Sequence, residues 1–355
     1  MRVFPIGHDR LAEFIAAGEV PYRADIHHIP ALRAPLEAEL SGRSTFAAYG
    51  TLQPFLVERE SRVVGRAAAL LNPRLKDGDA PCGQIGWFEC ADDLDAARAL
   101  FEACDAWLRE RGARKALGPM NGGAHRLHRL MVAGFERTPF LFEPRNPPYY
   151  VKLFESCGWQ RVFTWHSFDV PRDQAATALA RVQRVMELRP PKGHIDLLDP
   201  SKPAETMGRV HALLDGVWSD HLGYASISLE ELAEVFGGAL ALMTERNIGV
   251  FVADGVDVAC GFTYPDRAAE VRALHGDVSG YSGWRGAPVS RVVLHTTAAI
   301  PEARGRRGIL AIFERGLRYA LEDGAKEVIL GMVVDGLWFG LAEPTRSYAL
   351  YSRSL

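Results

Sequence analysis

The order of predicted elements repeats in the two halves of the chain, and this repeat limits the possible folds more than any other feature. Residues 55–71 contain two apolar stretches around a polar turn, which predicts a pair of strands. Residues 248–264 repeat the pattern, with the turn at Asp254-Gly255. In both halves a strand, a helix and a strand are predicted to follow: 83–90, 95–111 and 113–119, then 291–297, 309–322 and 327–334. The chain therefore predicts two diverged copies of one α/β unit.

The join between the copies is predicted near residues 189–193, where paired prolines and a glycine interrupt the periodic segments. A chain of 355 residues with 48% hydrophobic residues is long enough for two ordinary domains. The net charge of −3 gives no overall basic field for nucleic acid or an anionic membrane. No uninterrupted apolar run has the length of a membrane span, so we expect a cytoplasmic protein without a membrane partner.

A segment rich in turn residues lies within the first half, starting at the end of the strand predicted at 113–119. It has a Gly118-Pro119 break, a loop held by Pro147 and Pro148, and a short helix that ends before Gly158. This concentration of glycine and proline predicts a fixed backbone around a cleft. The five cysteines are widely spaced and form no Cys-x-x-Cys pair, which argues against disulfides and a zinc ribbon.

The repeated order, with a basic glycine-bearing turn between a strand and a helix, resembles the GCN5-related N-acetyltransferase (GNAT) superfamily in its tandem form. Five motifs narrow the resemblance to a poorly characterised bacterial two-domain acetyltransferase-like group: Gly118-Pro-Met-Asn121, Val132-Ala-Gly-Phe135, Asn146-Pro-Pro-Tyr-Tyr150, Cys157-Gly-Trp159 and Val217-Trp-Ser-Asp-His-Leu-Gly-Tyr224. It implies an α/β fold of two tandem GNAT-like domains, 1–188 and 189–355. Each would be a mixed, mostly antiparallel sheet flanked by helices.

The resemblance also implies a pyrophosphate-binding turn at the start of a helix, which would hold an acyl-CoA such as acetyl-CoA. The matching text is Ala303-Arg-Gly-Arg-Arg-Gly-Ile-Leu310, where Gly308 fits the central glycine and Leu310 replaces a small residue. The cofactor-binding candidates are Thr296, Thr297, Arg304, Gly305, Arg306, Arg307 and Gly308. The alternative is that these arginines are solvated surface residues. In the first copy, Asp92, Asp93 and Asp95 would repel a pyrophosphate, so that domain is expected to be degenerate.

Three residues are candidates for acid–base catalysis. His295 precedes the arginine turn, and an imidazole titrates near neutrality, although a histidine in a strand is also commonly a core residue. Tyr348 and Tyr351 are the phenols available near the C-terminus, and at least one of them is expected only to pack. The segment after residue 334 is too short for the usual last helix and strands of the superfamily. The asparagine and tyrosine of that helix do not map cleanly, which puts an ordinary acetyl-CoA mechanism in doubt.

A second set of residues suits an acceptor site. Trp218, His221 and Tyr224 are expected in a polar loop, where they would supply an aromatic wall and an imidazole, or simply anchor the loop. Arg145, Tyr149 and Tyr150 suit an anionic group of a substrate or the pinning of a loop, and Asn121 is a further candidate. A metal site is not expected, because no third ligand accompanies His125 and His128.

The sequence leaves three functions open. The first is an N-acyltransferase that moves an acyl group from an acyl-CoA in the second domain to a small-molecule amine at the domain interface. The second is an aminoacyl-tRNA-dependent transferase, with tRNA as the donor carrier, because tandem folds of this kind also occur among peptidyl ligases. The third is a binding module without catalysis. Dinucleotide-binding and serine-hydrolase motifs are absent from the sequence.

Overall fold

The computed structural model describes residues 1–219, 221–279, 287–336 and 343–355, except for the side chains of residues 302, 304 and 305. The strands are β1 Arg2–Pro5, β2 Thr51–Arg59, β3 Arg62–Asp77, β4 Ala80–Cys90, β5 Lys115–Gly118, β6 Leu130–Ala133, β7 Gln160–Pro171, β8 His194–Leu197, β9 Ile248–Ala253, β10 Val256–Pro265, β11 Arg291–Ala299, β12 Glu327–Val334 and β13 Arg346–Ser354. The α-helices are α1 Leu11–Ala17, α2 Arg33–Leu40, α3 Leu94–Arg109, α4 Tyr149–Ser156, α5 Arg172–Leu188, α6 Pro203–Trp218, α7 Leu229–Leu240, α8 Ala268–Ala273 and α9 Gly308–Glu322.

Local sequence signals set many of these boundaries. Asp93 caps α3, since its side chain accepts hydrogen bonds from the backbone N–H groups of Asp95 and Ala96. Ser228 and Glu231 form a capping box at the start of α7. Gly112 follows α3 with a φ of +83°, a conformation that glycine adopts without a steric penalty. The predicted hairpins at 55–71 and 248–264 are confirmed as β2–β3 and β9–β10.

The strands of the described residues form one continuous sheet rather than two separate ones. Its order is β1-β2-β3-β4-β5-β13-β7-β12-β11-β10-β9-β8, and β6 also pairs with β13. The neighbours are antiparallel except for two parallel pairs, β4 with β5 and β11 with β12. The predicted fold class is therefore confirmed as α/β, with a mixed and mostly antiparallel sheet flanked by helices.

The two halves exchange their last strands at the centre of this sheet. Strand β13 lies between β5 and β7, and pairs Tyr351 with Gly118 on one side and Tyr348 with Trp165 on the other. Strand β7 of the first half pairs in turn with β12 of the second half, from Glu327 opposite Pro171 to Val334 opposite Trp165. Each half therefore contributes a strand to the other. The division into independently folding units at residue 188 stays a prediction.

Hydrophobic cores lie on the faces of the sheet. The first is built by α3, α4 and strands of the first half, around Leu100, Phe101 and Phe154. A second forms where α6 and α7 cover β9 and β10, and includes Val210, Leu232 and Phe262. On the opposite side, α5 and α9 pack over β7, β11 and β12. No helix in the described ranges is long and apolar enough to cross a membrane.

Candidate active site

A gap opens between β11 and β12, the parallel strands of the second half. They are paired from Arg291 opposite Glu327 to Leu294 opposite Leu330, and the pairing ends there although both strands continue. Beyond that point, within the described ranges, β11 is paired only with β10, and β12 only with β7. The backbone edge of β11 from His295 to Ala299 thus has no strand partner on the β12 side among the described residues. Such an edge can donate and accept hydrogen bonds to a ligand.

His295 lies where this gap begins. Leu294 and Thr296 pair with the adjacent residues Thr263 and Phe262 of β10, so His295 is the extra residue of a β-bulge. Its Nδ1 lies 2.9 Å from Thr296 Oγ1. Burial, and then the charge of Arg129, lower the pKa of His295 to about 4. The imidazole is therefore neutral at pH 7, and its role as a base stays a prediction.

The N-terminus of α9 follows the same strand, after a 3₁₀ turn at Pro301–Arg306. Its N-cap residue is Arg307, at a φ of +60°. Among the described side chains none caps the helix, and no acidic residue occupies its first turn. The first N–H groups of a helix need such acceptors and favour an anion. An added Cβ at Gly308 would lie 2.8 Å from Phe251 Cδ1, so glycine lets the helix start close to β9.

The predicted phosphate ligands around this turn differ in their contacts and in their exposure. Arg306 forms an ion pair with Asp254, and Arg307 donates to the carbonyl oxygen of Pro190 at 3.2 Å. Thr296 is buried, whereas Thr297 is exposed. Arg304 and Gly305 are also predicted ligands, and their contacts lie outside what the structure describes. The assignment of these residues to a cofactor stays a prediction.

The corresponding gap of the first half is filled by protein groups. β4 and β5 pair only from Cys82 opposite Lys115 to Gln84 opposite Leu117. Beyond this pairing, Asn121 Oδ1 accepts from the N–H of Trp87 at 2.9 Å, at the bulge of β4. The two tyrosines of the Asn-Pro-Pro-Tyr-Tyr motif bond the end of β4. Tyr150 Oη accepts from the N–H of Cys90 at 2.8 Å, and Tyr149 donates to its carbonyl at 2.9 Å.

The helix after β4 is also already capped. Asp93 caps α3 and holds Arg59, whose Nε lies 2.7 Å from the carboxylate. Arg145, another predicted substrate ligand, forms an ion pair with Asp25 and donates to the carbonyl of Phe135. Asn121, Arg145, Tyr149 and Tyr150 thus each have at least one protein partner. Their proposed contact with a substrate stays a prediction.

Arg129, which the sequence analysis did not single out, lies near the gap of the second half. Its guanidinium donates to Met332 Sδ at 3.0 Å and lies 4.2 Å from the centre of the Trp165 ring. The buried Nε has no hydrogen-bond partner among the described residues. Arg129 and Met332 are both non-glycine residues with a positive φ, +89° and +54°. Such strain concentrates at binding and active sites.

The two candidate tyrosines lie inside the protein on β13. Both are fully buried. Tyr348 donates to the carboxylate of Glu143, and burial raises the pKa of Tyr348 well above its ordinary value. Tyr351 Oη lies 2.9 Å from Arg161 Nε, on the first half of the sheet. Catalysis by either phenol stays a prediction, and Tyr351 belongs to the core around α3 and α4.

A buried charge network surrounds Tyr348. Arg346 forms ion pairs with Glu143 and Asp169, and its Nη2 donates to the carbonyl of Thr138 at 2.8 Å. Burial raises the pKa of Glu143 to about 7, although Arg346 opposes the shift. These partners come from the segment before α4, from β7 and from β13. The network therefore fastens the exchanged strands to the loop before α4.

The predicted aromatic cluster forms at the interface between the halves, with one correction. Trp218 ends helix α6 rather than lying in a loop, because the helix continues past Gly216. The rings of Trp218 and Tyr224 lie 5.7 Å and 4.7 Å from the ring of His125, a first-half residue. Tyr224 also donates to Asp215. His221 belongs to the turn between them, and its N–H donates to the carbonyl of Trp218.

A small cleft beside this cluster is lined by both halves, including Tyr49, Asn72, His125, Arg126 and Glu231. Burial lowers the pKa of His125 to about 4. Within the described ranges, no three His, Cys, Asp or Glu side chains converge in a metal-binding arrangement. The cleft is therefore a polar and aromatic niche between the halves.

Comparison with solved structures relates this architecture to a known one. A tandem GNAT protein from the clavulanic acid biosynthesis pathway superposes with a TM-score of 0.52, over 99% of this chain and 98% of that chain, at 14% identity. The chain has a tandem GNAT fold. No family model matches the chain.

Two curated proteins are similar in sequence. Protein YghO of Escherichia coli (strain K12) is 23% identical over 277 residues, which cover 77% of this chain and 70% of that protein. A bacterial ceramide synthase of Caulobacter vibrioides (strain NA1000 / CB15N) is 26% identical over 246 residues. That match covers 67% of this chain and 62% of the synthase, so the chain spans less than two thirds of this relative's length.

Proposed function

We propose that this protein is an N-acyltransferase that moves an acyl group from an acyl-CoA, bound by the second domain, to an amine at the domain interface. The observation that carries the proposal is the contrast between the two gaps. The gap between β11 and β12 opens beside a bulge and an uncapped helix, whereas protein groups fill the gap of the first half. A ligand with an acyl thioester and a pyrophosphate needs both an open strand edge and a free helix N-terminus.

The reaction exchanges one bond at the acyl carbon. The amine nitrogen forms a bond to that carbon, the bond from carbon to sulfur breaks, and one proton passes from nitrogen to the released thiol. His295 lies at the open edge of β11, where a neutral imidazole can accept a proton from the amine. Unpaired backbone N–H groups of the same edge suit the carbonyl oxygen of the acyl group.

The name of the Caulobacter relative supports amide formation. A ceramide is an amide of a long-chain amine, so that protein is named for joining an acyl group to nitrogen. Met332 and Val334 of β12, together with Phe163 and Leu222, are partly buried and pack against the apolar cluster that contains Trp165. We therefore expect amines with an apolar portion to be better acceptors than small polar amines.

The test is donor binding by the second domain. Acyl-CoA is expected to raise the Tm and to release free thiol when an amine is added. The double variant Arg306→Ala, Arg307→Ala is expected to lose most of the shift, because it removes the positive charge at the start of α9. Arg59→Ala is the matched control, since Arg59 lies at the start of α3 in the first half, and it should keep the full shift.

Three results would overturn the proposal. Equal shifts in the double variant and the wild-type protein would remove the donor from α9. Salt-dependent binding of aminoacyl-tRNA, with no response to any acyl-CoA, would favour the aminoacyl-tRNA-dependent alternative. No response to either donor would favour a binding module without catalysis.

A further inference from the structure

Arg129 differs from the other largely buried arginines of the described chain in what compensates its charge. Arg66 and Arg315 have no carboxylate partner in the described ranges, but both donate to backbone carbonyl oxygens. Arg346 has two carboxylate partners, and Arg126 lies between Glu39 and Glu234. The guanidinium of Arg129 instead contacts a thioether sulfur and the face of an indole ring. Neither carries a formal negative charge, and a thioether is a weak hydrogen-bond acceptor.

The surroundings of this guanidinium are largely apolar. Trp165 covers one side and Met332 another, and both belong to the cluster of Met120, Met131, Leu350 and Tyr348. The buried Nε has no partner among the described residues. A largely buried guanidinium that has no oxygen acceptor is expensive to maintain, and the anionic group of a ligand would compensate it.

The position relates this charge to the open gap. Met332 belongs to β12, two residues beyond the last pair with β11. The charge of Arg129 also acts on His295, which begins the open edge of β11. Arg129 therefore lies beside the reacting end of the proposed donor site, and enters it from the first half.

We propose that Arg129 binds an anionic group, a carboxylate or a phosphate, carried by the acceptor amine. The planar guanidinium presents Nε and an Nη in the fork geometry that these oxyanions match. This inference rests on the proposed function in calling the amine an acceptor, whereas binding of the anion by Arg129 does not require turnover. The acceptor class is then an amine with an acid group close to nitrogen and an apolar portion.

The experiment compares amines that differ only in the acid group, with thermal shift as the readout. One arm uses β-alanine against propylamine, and the other uses O-phosphoethanolamine against ethanolamine. We expect at least one acidic amine to raise the Tm more than its neutral counterpart, and the arm that responds identifies the anion. Arg129→Gln is expected to abolish that difference. The response should remain in Arg306→Ala, Arg307→Ala, because those residues lie at the other anion site.

A second variant separates a binding residue from a structural one. Arg129→Met removes the charge and keeps an apolar stem against Trp165 and Met332. Without added amine, we expect its Tm to equal or exceed that of the wild-type protein, because the variant removes an uncompensated buried charge. A Tm lower by several degrees would overturn the proposal, as would an undiminished acid preference in Arg129→Gln, or no preference in the wild-type protein.

The design also separates this proposal from the proposed function. An acid preference that depends on Arg129, without acyl-CoA turnover, would support the anion site and count against the acyltransferase. Turnover of neutral and acidic amines at equal rates, unaffected by Arg129→Gln, would support the acyltransferase and sink the anion site.

Discussion

The protonation of His295 links the stability of the fold to pH. Burial and the charge of Arg129 lower its pKa from an ordinary value near 6.5 to about 4. Between these values the unfolded chain binds a proton that the folded protein does not bind. The free energy of unfolding should therefore fall as pH drops from about 6.5 to about 4, and His295→Gln should reduce that fall.

The measurement is urea unfolding of both proteins at a series of pH values. Gln174→Ala, at an exposed residue of α5 that does not titrate, is the control and should keep the fall seen in the wild-type protein. Parallel profiles for His295→Gln and the wild-type protein would show that His295 is not held neutral.

The ion pairs of Arg346 give a second prediction for a single residue. Arg346→Met would leave Glu143 and Asp169 buried without their cation, so we expect a loss of about 3–5 kcal/mol in the free energy of unfolding. Urea titration measures the loss. Arg184→Met, which breaks an exposed ion pair with Glu187 on α5, is the control and should change stability little. A small loss for Arg346→Met would contradict the network.

Sequence patterns identified some of the candidate site residues and missed others. His295 could be identified from the sequence because it lies in a β-branched stretch before a basic turn, and local patterns predict both the strand and the turn. Arg129 could not be identified in this way, because a lone arginine in a loop carries no periodic signal. Its burial depends on Trp165 and on Met332, which is 203 positions away along the chain. The pairing of Glu143 with Arg346 is equally remote and equally invisible in one sequence.

At the scale of elements, the start of α9 predicts a steric requirement. Gly308→Ala would place a Cβ 2.8 Å from Phe251 Cδ1, so we expect a loss of about 1–3 kcal/mol and weaker donor binding. Gly237→Ala in α7 is the matched control. Nothing lies within 4 Å of its added Cβ, and alanine favours a helix, so that variant should be neutral or more stable. Equal behaviour of the two variants in thermal unfolding and acyl-CoA binding would contradict this account.

Helices and hairpins were largely predictable from the sequence because their signals are local. The apolar period of residues 309–322 and the turn at Asp254-Gly255 depend on neighbouring residues only. The end of α6 was misplaced, since Gly216 tolerates a helical conformation when the following residues continue the apolar face. Val217 and Trp218 do so, and both pack against the core beneath α6 and α7.

At the scale of the whole molecule, the shared sheet predicts cooperative unfolding. β13 pairs with β5, β6 and β7, and β7 pairs with β12, so neither half can open fully without breaking the centre. Hydrogen exchange under increasing urea should give peptides from β4 and from β10 the same midpoint. Well-separated midpoints would mean that the halves unfold independently.

The strand exchange was not predictable from the sequence. Two copies of one unit suggest two separate sheets. From the sequence pattern alone, β7 would fit equally well within a sheet of the first half, and β13 within a sheet of the second half. The choice depends on long-range contacts, such as Arg346 with Glu143 and Tyr348 with Trp165 across the pairing. A pattern of apolar residues specifies that a strand is buried, but it does not specify which neighbour buries it.

The central position of β13 also has a consequence for the timing of synthesis. A ribosome makes residues 1–171 long before residues 346–354, so the edge of β5 that faces away from β4 has no strand neighbour until β13 emerges. This exposed strand edge must stay unpaired through the translation of the whole second half. Such an edge can associate with other chains. We therefore expect a nascent chain of this protein to depend on chaperones until β13 has been synthesised.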